Sequence, residues 1–190
     1  MLPAIFLTCA AILAGSSLAI AGPFQVRTPA ACHQNETQAR LCYASSNDTL
    51  KRVSLDDLKF AAARIRAIGH QYRAGRLYTM NVGDTPDCDE RDLLTRYTAR
   101  IKVKHIDPVH NSSVLYEDIA NTLDGGVNAT DDQMGAVLFG CGANGGSMGV
   151  VVNATHPTYN SSYFAYQHAV TSGIIVKVMF GYSPDARVKP

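Results

Sequence analysis

The chain has no tryptophan, no charged side chain in its first 21 residues, and no Lys or Arg between residues 111 and 176. Each gap excludes something. Without tryptophan, the ring most favoured as a stacking platform for sugars is missing, and any such platform has to come from the nine tyrosines. A formal net charge of +1 and a sequence pI of about 7.7 leave no polycationic surface to gather phosphates, so nucleic acid is not an expected partner. No apolar run after the leader is long enough to span a bilayer, and Ile174-Ile175-Val176 stops at Lys177. The tail from Ser183 to Pro190 is polar. No stop-transfer helix or lipid-anchor tail is therefore expected, and no stable membrane insertion. With 46% hydrophobic and 17% charged residues in 190, the composition is that of one ordinary globular domain.

What is present points outward from the cell. Leu2 to Leu13 is almost wholly apolar and gives way to Ala14-Gly15-Ser16-Ser17, then Ala19-Ile20-Ala21 before Gly22-Pro23. Small residues at the first and third positions of that triplet suit a signal peptidase, and the stretch is too short to span a bilayer. The expected organisation is a signal peptide over residues 1–21 and a single secreted α+β domain over residues 22–190.

Cys9 leaves with the leader, and Cys32, Cys42, Cys88 and Cys141 remain, an even number as an oxidised framework needs. Their spacing lacks C-x-x-C pairs, which argues against zinc, and leaves three connectivities open. Bridges over loops the size of Cys42 to Cys88 or Cys88 to Cys141 contribute about 2–4 kcal/mol. Asn-x-Ser/Thr sequons stand at Asn35, Asn47, Asn111, Asn128, Asn153 and Asn160, six of the nine asparagines. Chance placement gives roughly one. Occupied sequons must project into water, so all six positions are expected at the surface of a glycoprotein.

Ser54 to Asp57 reads as a helix start with a capping box. Leu58, Ala61, Ala62, Ile65 and Ile68 follow at three- and four-residue steps, and Gly69 is the stop. Lys59, Arg64 and Arg66 occupy the opposite face, expected to be solvated. Leu77–Val82 alternates as a half-buried strand. Tyr97, Ala99, Ile101 and Val103 form the apolar side of another, whose basic outer row is expected to guard a sheet edge. Val114 to Leu123 reads as a short amphipathic helix ending at Gly125-Gly126. Thr130 and Gln133 form a second capping box ahead of a stretch reaching Leu138, with Val137 to Phe139 also readable as a strand. Val150 to Val152 reads as a strand, and Ile174 to Phe180, rich in β-branched residues, as a central one. The acidic, Lys- and Arg-free segment is expected to meet the basic first half electrostatically.

Several patterns imitate chemistry. Gly140 to Gly145 matches G-x-G-x-x-G, yet no acidic residue follows at ribose-binding distance and the next element is a strand. Gly145 to Gly149 matches the G-x-S-x-G elbow around Ser147, but the only later acid, Asp185, lies beyond the last histidine. A glycine-rich helix-to-strand loop explains both. The six histidines, His33, His70, His105, His110, His156 and His168, show no metal-ligand spacing. His105 and His110 beside Asp107 are the best acid–base candidates, with surface polarity the more ordinary reading. Asp56/Asp57 and Glu117/Asp118 point to different helix faces and make no glycosidase couple. No catalytic residue, cofactor or metal site is assigned.

Val53 to Leu58 running into Arg64 to Gly69, and Asp118 to Gly126 leading to Gly140-Cys141, resemble small secreted proteins of filamentous fungi. More distantly they resemble the killer-toxin-like and necrosis-inducing effector group. That resemblance implies a disulfide-linked α/β sandwich acting on a host or competing cell. The expected fold is α+β: a single-domain α/β sandwich, its mainly antiparallel sheet packed against two or three helices. The expected function is non-enzymatic binding of an extracellular protein or cell-surface glycan. The alternative is a secreted hydrolase, nuclease or glycan-active, with a dispersed site.

Overall fold

The structure is a computed structural model and describes residues 36–44, 51–82 and 90–181. Strands β1 (Leu41–Cys42), β3 (Glu90–Arg96), β4 (Ala99–His105), β6 (Gly146–Gly149) and β8 (Ile174–Phe180) form a five-stranded sheet in the order β1-β6-β8-β4-β3. All four of its pairings are antiparallel. A second sheet, β2-β5-β7, joins β2 (Leu77–Met80) antiparallel to β5 (Asn111–Leu115), and β5 parallel to β7 (Ala169–Val170). Helices α1 (Leu55–Gly69) and α2 (Tyr116–Asp124) pack on each other and on the large sheet. Two short helices, α3 (Asp131–Ala136) and α4 (Ser162–Tyr166), lie in the connections. The architecture is α+β, with the sheet against helices as expected.

One apolar core joins these layers. Leu58, Ala61, Ala62 and Ile65 from α1 and Ile119, Ala120 and Leu123 from α2 meet Ala99, Ile101 and Val103 from β4 and Ile174, Val176 and Val178 from β8. Burying each of the larger aliphatic chains contributes about 1.5–3 kcal/mol. The three- and four-residue spacing of α1 and the period of two along β4 and β8 thus converge on the same interior. The expected central strand is central, with β6 and β4 as its neighbours.

Several local readings are corrected by long-range partners. Ser54 caps α1 by backbone geometry alone, without a side-chain bond. Asp57 Oδ2 instead accepts from Thr98 N (3.1 Å) and Thr98 Oγ1 (2.6 Å), and Ser54 N donates to Thr98 Oγ1 (2.8 Å). The β3–β4 turn therefore replaces the local box, with Tyr97 at φ 40° in that turn rather than in the strand. Val114 and Leu115 belong to β5, and the helix starts only at Tyr116. The Thr130–Gln133 capping box is present, but α3 ends at Ala136, and 3-10 turns run from Leu138 to Asn144 instead of a strand. Val150 to Val152 lies beyond the end of β6. There Val150 N donates to Ile174 O and Val151 N to Thr122 Oγ1, which is extended chain tied to β8 and α2.

Arg66 is the largest departure. It is 6% exposed, not solvated. Its guanidinium donates to Glu117 Oε1 (3.0 Å), Asn121 Oδ1 (3.0 Å) and Asp124 Oδ1 (2.8 Å), joining α1 to α2. Lys59 and Arg64 are exposed as expected. The acidic segment meets the basic half here, through one buried cation.

Cys42 and Cys141 form a disulfide that closes a 99-residue separation and ties β1 to the 3-10 turns. Gly146 stands where β1 crosses: a Cβ there would lie 2.5 Å from Leu41 O and 2.9 Å from Cys141 Sγ, so only glycine fits. Cys32 and Cys88 lie outside the described residues.

Candidate functional site

An open cleft of about 790 Å³ lies among the described residues. One wall is the chain leaving α1, from Tyr72 to Thr79. The other comprises the 3-10 turn Pro157–Asn160 with His156 before it, and α4 up to Gln167. A smaller lobe of about 260 Å³ shares Tyr72, Arg73, Gly75, Arg76 and His156 with the first and adds His70, Leu115 and Glu117. The two lobes are adjacent, with Arg76 and His156 among the residues lining both.

Both walls are fixed by side chains from distant parts of the sequence. Thr158 Oγ1 donates to Ala74 O, and Thr79 Oγ1 donates to Gln167 Oε1 (3.3 Å) while sharing a 2.8 Å hydrogen bond with Ser113. Behind the second wall, Tyr159 O–H donates to Asp118 Oδ2 (2.6 Å) and accepts from Leu115 N (2.7 Å), anchoring the turn to the β5–α2 junction. Burial pushes the Asp118 carboxyl above its ordinary value, against the hydrogen bonds from Tyr159 and the Asn153 backbone. Burial, and then donation to Asp118, push the Tyr159 phenol far above its own. Gly75, at φ 82°, forms the floor, where a Cβ would meet Leu115 Cδ2 at 2.9 Å and His156 Cε1 at 3.5 Å.

The cleft is cationic and aromatic. Arg76 lies over the rings of Tyr116 (5.3 Å) and Tyr72 (5.9 Å) and donates to Gln71 Oε1 (3.3 Å). Contacts of this kind favour the guanidinium's position electrostatically without using up its hydrogen-bond donors. His156 Nδ1 accepts from Thr158 N (3.3 Å), which assigns the neutral ring's proton to Nε2. Tyr72 and Tyr163, on opposite walls, are 60% and 63% exposed. No carboxylate is among the described residues lining the larger lobe. The smaller lobe has one, Glu117, whose Oε1 is held by Arg66 and whose Oε2 lies 2.7 Å from His70 Nε2.

The serine and threonine hydroxyls lining the cleft are already engaged. Ser161 Oγ donates to Thr158 O (2.6 Å) and accepts from Phe164 N (3.1 Å), capping α4. With Thr158 and Thr79 committed as above, none is arranged beside a base as a nucleophile would be.

The acid–base candidates at Asp107 separate. His110 Nδ1 lies 3.1 Å from Asp107 Oδ2 in an exposed loop, whereas His105 is fully buried on β4, with Nε2 2.9 Å from Ser112 Oγ. Ser147 sits within β6 and is 8% exposed, so it crowns no turn. His70 and His156 join the cleft. His168 does not line it, and His33 lies outside the described residues. Of the sequons, Asn128, Asn153 and Asn160 are exposed. In the second of these, Thr155 Oγ1 donates to Asn153 Oδ1 (2.7 Å), engaging the oxygen and not the nitrogen that a glycan bonds. Asn111 is half-buried on β5, its Oδ1 accepting from Val82 N (3.0 Å), with Ser113 of the same sequon fully buried. Asn35 and Asn47 lie outside the described residues.

Sequence reading missed Tyr72, Arg73, Arg76, Tyr163 and Gln167. The available sign was compositional: His70 to Arg76 gathers a histidine, a tyrosine and two arginines in a connection between a helix stop and a strand, where binding residues concentrate. The opposite wall carries no such sign. No protein-family model matches the chain, and neither curated proteins nor solved structures yielded a match.

Proposed function

We propose that this chain is a secreted, N-glycosylated, non-enzymatic protein that binds an extracellular partner through the cleft between Tyr72–Thr79 and His156–Gln167. The observation that carries binding over catalysis is the state of the cleft's polar groups. Cations and exposed aromatic rings face the cavity, while its serine and threonine hydroxyls are spent on the chain itself and no carboxylate is among the described residues of its larger lobe. Secretion is supported by the leader, the six sequons and the Cys42–Cys141 bridge, a bond that persists in oxidising compartments. The sequence resemblance to secreted fungal proteins supports a partner on a host or competitor.

A hydrolase is the second reading, favoured by the Arg66–Glu117–His70 line that ends in the smaller lobe beside His156. The two separate by experiment. Purified glycoprotein immobilised against extracellular proteins, cell-wall glycans and membranes should retain a partner, and a Tyr163→Ala, Arg73→Ala variant should release it. Turnover of RNA or polysaccharide that disappears in His70→Ala would overturn binding in favour of hydrolysis.

A further inference from the structure

We infer that the cleft takes an acidic oligosaccharide, a short chain of uronic acid units whose carboxylates meet Arg73 and Arg76 and whose rings lie against Tyr72 and Tyr163. This inference rests on the binding role proposed above and names its ligand.

The shape comes first. An open cavity of about 790 Å³ beside one of about 260 Å³, with Arg76 and His156 lining both, offers room for a chain of rings rather than for one small ion. Charge comes next. Arg73 and Arg76 line both lobes and no carboxylate is among the described residues lining the larger, so the ligand's complement is negative. Arg76, with its guanidinium carbon 5.9 Å from the Tyr72 ring and 5.3 Å from the Tyr116 ring, carries the planar fork that recognises a carboxylate. The exposed rings of Tyr72 and Tyr163 on facing walls supply flat apolar surface for sugar C–H faces, the service that tryptophan would otherwise provide. His156 Nε2–H and Gln167 add donors for hydroxyls.

The same features would suit the bases and phosphates of a single-stranded nucleic acid, but the surroundings do not. A polyphosphate needs a basic track beyond the pocket. Residues 111 to 176, which supply the whole second wall, hold five acids and no Lys or Arg. Two arginines suffice for one or two carboxylates and stop there.

The experiment is calorimetric titration of the secreted, disulfide-intact chain with an oligogalacturonate of defined length, its fully methyl-esterified form, and an oligodeoxythymidylate. The free acid should bind, and more weakly as salt rises. The ester, Arg73→Ala and Tyr163→Ala should each bind at least about tenfold more weakly, with Arg73→Lys recovering part of the loss. Asn160→Gln is run in parallel, because Asn160 ends the turn that forms the second wall and a glycan there would stand at the rim. Equal binding of ester and acid, indifference to Arg73→Ala, or preference for the oligonucleotide would overturn the assignment. If neither chain nor Asn160→Gln variant binds the oligosaccharide while the cleft still retains a partner from the extracellular extract, the ligand class falls and the binding role stands. If the cleft retains nothing, both fall.

Discussion

The outer face of the large sheet and the cleft use the same kinds of side chain to opposite ends. On the sheet, Lys102 and Lys177 stand directly opposite each other on β4 and β8, a like-charge pairing that on its own destabilises. Glu90 resolves it by reaching Lys102 (2.5 Å) and Lys177 (2.7 Å), and Glu36 by reaching Lys177 (2.9 Å) and Lys104. Arg100 pairs with Asp92 at 2.6 Å. The basic row is thus neither an edge guard nor a binding surface, since β4 is interior and its charges are matched. In the cleft Arg76 lies against two tyrosine rings, and no carboxylate is among the described residues of the larger lobe. Where charge is neutralised within the chain it serves the fold, and where it is left facing a cavity it is available to a ligand.

The sharpest way to break the contrast is to loosen the structural side. Replacing Cys42 and Cys141 together by Ser removes a link across 99 residues and should cost about 4 kcal/mol, lowering Tm by about 10 °C in a calorimetric scan. Arg66→Ala comes next. Glu117 and Asp124 would be left facing a gap between α1 and α2, at a cost of about 3 kcal/mol by chemical denaturation. Adding Asp124→Asn to that variant should recover part of the loss, whereas a purely packing role for Arg66 would give no recovery.

The ladder answers to pH. Burial disfavours the charged forms of Glu36 and Glu90, but Lys104 and Lys177, and Lys102 and Lys177, outweigh it and hold both carboxyls below their ordinary value of 4.5. A carboxyl depressed by folding lends stability that is complete above its unfolded value and disappears as pH falls through its folded one. Tm should therefore be flat near neutrality and drop progressively below about pH 4.5. Glu36→Gln, Glu90→Gln should begin lower and show a shallower acid descent. Equal slopes would mean the ladder adds nothing.

These regions also differ in how far they can be read without a structure. The α1 spacing from Leu58 to Ile65 and the alternation of Ile101 and Val103 declare the core, because each element's period is set by its own backbone. Arg66 escapes that reading, since its partners Glu117, Asn121 and Asp124 come from a helix more than 50 residues on. Thr98 likewise displaces the local cap at Ser54. Val114 and Leu115 fit a helical face as well as a strand, and pairing with Leu77 and Tyr78 decides for the strand. The cleft is the extreme case. Its walls lie some 80 residues apart in sequence and are joined by Thr158 to Ala74 and Thr79 to Gln167, contacts that no periodicity announces.

The smallest effect is the most diagnostic. Arg73 and Tyr163 are exposed and line the larger lobe, and no core packing depends on either. Arg73→Ala and Tyr163→Ala should leave stability within about 0.5 kcal/mol of the parent, as surface substitutions do. Their loss should appear only in partner capture and oligosaccharide affinity. Arg66→Ala should do the reverse at temperatures where it is folded, losing stability while the larger lobe, which Arg66 does not line, keeps its ligand. Measuring both quantities on both variants turns the comparison into a crossed test. If Arg73→Ala instead lowered Tm as Arg66→Ala does, the cleft's charge would be structural too, and the distinction between matched and waiting cations would dissolve.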